Sequence, residues 1–131
     1  MNSFEFILIS MLIAHWVFDF IIQTEKQGLN KSTNNKILFS HVNEYTIGMF
    51  LWCFILLYSV TGQLLNSFKC ALLFWSITFT CHFITDYFTS RMSSKKYKIQ
   101  KFYGWNGFWF WIGLDQILHI IQLLITFKWL A

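Results

Sequence analysis

The stretch AHWVFDFIIQ (residues 14–23) closes a long apolar run and carries three polar side chains at four-residue intervals. Because successive turns of an α-helix align such positions, His15, Asp19 and Gln23 are predicted to form one stripe on one helix face. Ionisable groups are costly inside so apolar a helix, and by default they mark a functional site.

The same pairing of histidine and aspartate occurs twice more in the chain. His82 precedes Asp86 by four residues, and Asp115 precedes His119 by four residues in the reverse order. The chain has only three aspartates, and each has a histidine four residues away. The pattern predicts one shared site, with the candidate metal ligands His15, Asp19, His82, Asp86, Asp115 and His119.

The composition indicates a membrane protein. Of the 131 residues 56% are hydrophobic and 12% are charged, whereas about 25% of a soluble domain is charged. Four apolar stretches, at about residues 4–22, 37–60, 70–89 and 108–130, approach the roughly 20 residues that a helix needs to cross a bilayer. We therefore expect an all-α polytopic protein, a four-transmembrane-helix bundle forming one integral membrane domain over residues 1–131. The first stretch lacks a basic flank and a small-residue cleavage motif, so it is predicted to be a retained helix rather than a signal peptide.

The basic residues indicate an orientation. Eight of the ten lie in segments 24–36 and 90–107, and only Lys69 and Lys128 lie elsewhere. Because short cytoplasmic loops carry an excess of lysine and arginine, both segments are predicted to be cytoplasmic loops, with both termini outside a bacterial inner membrane. The aromatic residues 102–111 are predicted to form an interfacial belt, with a bend at Gly104 and Gly107.

This orientation brings the three pairs to a similar depth. All of them lie roughly 5–17 Å below the cytoplasmic ends of their helices, since the reversed order in the last helix matches its reversed direction. The shared pattern of residues 15–20 and 82–87 (His, two apolar residues, any residue, Asp, aromatic) also suggests a two-hairpin parallel repeat. Four further polar residues are predicted to form a second layer or rim: Gln23, His41, Glu44 and Gln116.

Imidazole and carboxylate groups between helices are typical of a transition-metal site. We expect a divalent metal, with zinc favoured over manganese or iron, which would activate water for hydrolysis at the inner leaflet. The basic segment 90–107 favours a lipid or another phosphate-containing substrate, and no nucleic-acid partner is expected.

Two other interpretations are compatible with the same residues. The histidines and aspartates can serve as a proton or cation pathway, although the outer helix halves are almost entirely apolar. The pairs can also be structural hydrogen bonds between helices. In that case the chain would be a non-enzymatic protein that binds a membrane protein partner or a second copy of itself.

The ordered motifs AHxxxDFxxQ (residues 14–23), HV (41–42), HxxxD (82–86) and LDQxxH (114–119) resemble one family, called domain of unknown function 3307. The family consists of small membrane proteins of bacteria and their phages. The resemblance implies a four-helix membrane protein of this length and assigns no reaction. A looser similarity to bacterial inner-membrane metal-dependent hydrolases rests on His and Asp in a helical membrane setting.

Overall fold

The computed structural model describes the backbone of residues 3–103 and 106–130 and the side chains of residues 5–98 and 107–130. Over these ranges the chain is helical and contains no strand, which confirms the all-α prediction. The helices are α1 (Ser3–Trp16), α2 (Glu25–Asn30), α3 (Asn35–Thr61), α4 (Leu64–Tyr103) and α5 (Asn106–Leu130), and a π-helical turn (Val17–Ile21) directly follows α1.

The prediction of four membrane-spanning helices is wrong for the first segment. The α-helical part of α1 has 14 residues, which is about 21 Å and falls short of a hydrocarbon core of about 30 Å. The chain then changes to π geometry, and the helix ends at Ile21. Among the described residues, three helices are long and apolar enough to cross a membrane, namely Asn35–Thr61, Leu64–Lys98 and Gly107–Leu130.

Helix α4 is much longer than the predicted 70–89. It has 40 residues because the chain contains neither glycine nor proline between residues 64 and 103. The predicted loop 90–107 is therefore wrong over residues 90–103, where the basic segment continues the helix. Gly107 lies within α5, and the bend predicted at Gly104 falls outside the described residues.

Exposed apolar side chains form a band around the three long helices. Apart from Tyr97, the outermost exposed large apolar residues are Phe39 and Val60 on α3, Leu64 and Phe88 on α4, and Trp109 and Trp129 on α5. At 1.5 Å per residue these stretches are about 30–36 Å long, close to the thickness of a hydrocarbon core. The band is compatible with contact with a lipid bilayer, and α4 extends beyond it for 15 residues.

The segment between the π-helical turn and α3 is ordered by helix caps. Thr24 and Gln27 form a capping box at the start of α2, and the Gln27 side chain donates to Glu44 on α3 over 2.9 Å. Asn34 caps the start of α3. These contacts hold α2 across the end of the bundle, so the predicted loop 24–36 is a short helix with fixed ends.

The apolar core lies between α1, α3, α4 and α5. Leu38, Met49, Phe74 and Leu123 are fully buried or nearly so. The π-helical turn approaches α3 at Gly48, where an added Cβ would lie 2.5 Å from the ring of Phe18. Only a residue without a side chain permits this approach.

Replacing Gly48 with alanine should therefore destabilise the bundle. We expect Gly48→Ala to lower the free energy of unfolding by about 1–3 kcal/mol, because the methyl group displaces Phe18 and the π-helical turn. Gly113→Ala is the matched control, since nothing lies within 4 Å of its added Cβ and the gain in helix propensity is the same. Thermal unfolding in detergent measures both, and equal shifts of the two variants would contradict the prediction.

Candidate metal centre

Four helical segments bring their polar side chains together at one end of the bundle. The segments are α1 with its π-helical turn, α3, α4 and α5. The cluster has six members, none more than 4% exposed: His15, Asp19, His41, His82, Asp86 and His119. The four members on α3, α4 and α5 lie about 3–15 Å inside the edge of the exposed apolar band, counted along their helices.

The centre of the cluster has separations typical of ligands that share a metal ion. The Nε2 atom of His41 lies 3.2 Å from Asp19 Oδ1 and 3.3 Å from Asp86 Oδ2. The Nε2 atom of His82 lies 3.7 Å from each of the same two oxygens, and that of His119 lies 3.8 Å from Asp86 Oδ1. Two ligands about 2.1 Å from one tetrahedral ion are roughly 3.4 Å apart.

Three overlapping groups of side chains can each hold a metal ion. Within each group, one ligand atom from every member lies within 4.8 Å of the others. The groups are His15, Asp19 and His119; Asp19, His41 and His82; and His82, Asp86 and His119. Because the groups share members, they form one continuous set of oxygen and nitrogen ligands.

Several atoms of this set have no hydrogen-bond partner among the described residues. They are both ring nitrogens of His82, both ring nitrogens of His119 and Asp19 Oδ1. Leaving a buried polar atom unpaired costs about 1–3 kcal/mol. Three of these atoms, Nε2 of His82, Nε2 of His119 and Oδ1 of Asp19, lie within 3.8 Å of a nitrogen or oxygen atom of another member of the cluster, an arrangement that a bound cation would satisfy.

The π-helical turn determines where Asp19 points. An unbroken α-helix would align Asp19 with His15 and Gln23, but the helix ends at Ile21 and Gln23 lies in the following bend. The predicted three-residue stripe is therefore wrong beyond Asp19. Single π turns inside helices are frequent at functional sites, where they redirect a side chain.

His15 has partners for both of its ring nitrogens. Its Nδ1 atom lies 2.9 Å from the Tyr45 hydroxyl, and its Nε2 atom lies 3.1 Å from Gln116 Oε1. Tyr45 also stacks on His82, with ring centroids 4.0 Å apart. Sequence reasoning missed Tyr45, although its position four residues after His41 on α3 is a usable signal.

The remaining predicted residues lie around the centre. Asp115 is in none of the three groups of described residues; it accepts a short hydrogen bond from Thr89 and lies 3.5 Å from Nδ1 of His119. Gln116 donates to Asp19 and Asp115. His41, predicted for the rim, lies in the middle. Glu44 lies apart and binds Gln27 and Ser40.

Lys31 is a member of the cluster that sequence reasoning missed. Its Nζ atom donates to Asp86 Oδ2 over 2.8 Å and lies 3.3 Å from His41 Nε2. Burial alone would lower the pKa of this ammonium group, but Asp86 and Asp19 outweigh burial and raise it. The electrostatic stabilisation is therefore lost only as the pH rises through the raised pKa, and Lys31 stays charged at neutral pH.

The position of Lys31 in the cluster could not be predicted from the sequence, because it depends on the segment that carries the residue. Lys31 follows directly after α2, and it reaches the cluster only because the caps hold α2 across the end of the bundle. In the sequence it is one of several lysines in a polar segment. No periodic pattern distinguishes it.

A cavity of about 410 Å³ connects the cluster with the surface. It is lined by side chains of the 19–32 segment, of α4 beyond Asp86 and of the first turns of α5. Asp19, Asp86 and Asp115 lie on its wall beside Lys31. The cluster is thus buried but accessible from one end of the bundle.

Comparison with known proteins gives a family and no activity. Neither the curated proteins nor the solved structures contain a match. The family model described as "Protein of unknown function (DUF3307)" matches residues 7–131, which is nearly the whole chain and includes every member of the cluster. The chain therefore belongs to the DUF3307 family, as its motifs predicted.

Proposed function

We propose that this protein is an integral membrane metalloprotein that binds a divalent transition metal in the His/Asp cluster and hydrolyses an ester or phosphoester bond there. The convergence of imidazole and carboxylate ligands from four helical segments, at metal-ligand separations, carries the proposal. The unpaired nitrogens of His82 and His119 support it.

The chemistry of the ligands favours zinc among the divalent metals. Imidazole nitrogen with carboxylate oxygen suits zinc, and also iron or manganese. We propose Asp19, His41, His82 and Asp86 as the principal ligands, with His119 beside them. Asp115 would not bind the metal itself. It faces the second ring nitrogen of His119 and can fix the orientation of that ring.

The proposed reaction needs only water as a second reactant. A bound divalent metal lowers the pKa of a coordinated water molecule. The water oxygen forms a bond to the carbonyl carbon or phosphorus, and the bond to the alcohol oxygen breaks. One proton of the water goes to the departing alcohol oxygen and the other to solvent through the cavity.

An ion pathway is less well supported by the described side chains. Gln122 donates to Thr78 and Thr126 and extends the polar contacts beyond the cluster. Deeper in the bundle the buried core consists of apolar residues such as Cys53, Leu56 and Phe127. A conduit needs polar groups or water along its whole length.

The proposed orientation places the cluster at the cytoplasmic side. Lys96 lies on the extension of α4 at the cluster end, whereas Lys69 lies near the opposite end of the same helix. In a variant whose three free cysteines, Cys53, Cys70 and Cys81, are replaced by alanine, Lys69→Cys should react with an impermeant maleimide in intact cells. Lys96→Cys should react only after the cells are opened, and the reverse result would overturn the orientation.

The ligand assignment can be tested by elemental analysis of protein that is purified without exposure to a chelator. We expect stoichiometric metal in the wild type and in Asp115→Asn, and a loss of most of the metal in Asp19→Asn and Asp86→Asn. The amide is nearly isosteric with the carboxylate but is a poor metal ligand. Circular dichroism checks that each variant keeps its helix content.

Two outcomes would contradict the ligand assignment. Absence of metal from the wild type would remove the metal centre. Full metal content in the variants of Asp19 and Asp86, with lower thermal stability, would show that the cluster is a structural network of polar contacts between helices.

Lys31 should compete with the metal for the same carboxylates. We expect Lys31→Met to tighten metal binding at least about tenfold, or about 1.4 kcal/mol, because it removes a positive charge 2.8 Å from Asp86. Without metal the same variant should be less stable by up to about 3–5 kcal/mol, since it removes the lysine partner of a buried carboxylate. The exposed Lys36→Met is the control. Competition with a metal-binding dye measures the affinity, and an unchanged or weaker affinity would exclude the competition.

A further inference from the structure

The lining of the cavity beside the cluster combines two kinds of side chain. Its polar part, called the polar wall below, includes the three aspartates, Lys31 and hydroxyl side chains of α4. Its aromatic part includes Tyr97 from the extension of α4 and Phe108 and Trp111 from the start of α5. A ligand that fits both parts has a polar head and an apolar body.

The polar wall has hydrogen-bonding capacity that the protein itself does not use. Ser90 is 9% exposed, and its Oγ atom has no hydrogen-bond partner among the described residues. The Oε1 atom of Gln23, also on the cavity wall, is buried and equally unpaired. Buried polar atoms are normally paired, so the free hydroxyl of Ser90 indicates a ligand atom in the cavity.

The charges of the wall determine when an anion can enter. Asp19, Asp86 and Asp115 contribute three negative charges and Lys31 one positive charge, so the cavity without metal repels anions. One divalent ion would bring the sum to zero, and Lys31 would then be released from Asp86 to face the ligand. Further out, Lys95 and Lys96 are exposed on α4 and attract anions to this end.

The position of the cavity determines where the apolar body of the ligand lies. The part of the cavity lined by α4, from Asp86 to Tyr97, begins close to the edge of the exposed apolar band, at the level where lipid headgroups meet acyl chains. Phe20 and Leu29, which also line the cavity, are 42% and 70% exposed. Acyl chains can therefore remain in the bilayer while the headgroup enters the cavity.

We propose that this cavity binds a lipid with a phosphate-bearing headgroup and that this lipid is the substrate of the proposed hydrolysis. The phosphate lies beside Lys31, Ser90 and the proposed metal ligands, the glycerol lies against Phe108 and Trp111, and the acyl chains leave the cavity past Phe20 into the bilayer. The proposal rests on the proposed metal function.

Binding can be measured with purified metal-loaded protein in neutral detergent micelles. We expect dioleoyl phosphatidate to bind at least tenfold more tightly than dioleoylglycerol, which has the same chains without phosphate, and at least a hundredfold more tightly than inorganic phosphate. Removal of the metal should abolish the preference for phosphatidate. Ser94→Phe, which fills the cavity, should weaken phosphatidate binding at least tenfold, and Ser90→Ala should weaken it several-fold.

The control and the metal content make the outcomes distinguishable. Ser76→Phe changes an exposed serine on the same helix and should leave binding unchanged. If Ser94→Phe retains its metal and still binds phosphatidate as the wild type does, the lipid site is wrong while the metal centre stands. The lipid site would also be wrong if the protein bound dioleoylglycerol or inorganic phosphate as tightly as it binds phosphatidate. Absence of metal from the wild type would remove the metal centre and the lipid proposal together.

Discussion

The structure depends on compensating six ionisable side chains that are buried at one end of an apolar bundle. An unpaired buried charge costs several kcal/mol, so each carboxylate needs a cation or a donor close by. Asp86 has Lys31 at 2.8 Å. Asp19 Oδ1 has no hydrogen-bond partner among the described residues, and the ring nitrogens of His41 and His82 lie 3.2 and 3.7 Å from it. A bound divalent cation is the simplest group that would complete the balance.

The same side chains hold the helices together and form the proposed site. Histidine and aspartate from four helical segments meet within 4 Å, and such contacts by themselves fix the packing of helices. A purely structural network would be expected to pair its donors and acceptors. Here the ring nitrogens of His82 and His119 have no hydrogen-bond partner among the described residues although both rings are fully buried or nearly so. This observation favours the proposed metal centre over a purely structural network.

The sequence predicted the helical class, the family and most of the cluster, because histidine–aspartate spacing on apolar helices is a strong local signal. It did not predict the π-helical turn at Val17–Ile21, which packs through Phe18 against Gly48 on another helix. It also misjudged which residues are central. Lys31 reaches the cluster from the segment that follows α2. The packing of the helices places His41 in the centre of the cluster and Asp115 outside it, and neither position follows from residue spacing along one helix.

Helix α4 extends from the cluster to 15 residues beyond the exposed apolar band. Ser90 and Tyr97, which line the cavity, therefore lie on a continuous helix rather than in a loop. The start of α5 contributes Trp111 to the same lining. The extension of α4 also carries basic residues on which the proposed orientation rests, so one feature of α4 would provide both a topology signal and an electrostatic attraction for anionic headgroups. A ligand of the proposed kind would enter this cavity from the interface and not from the centre of the bilayer.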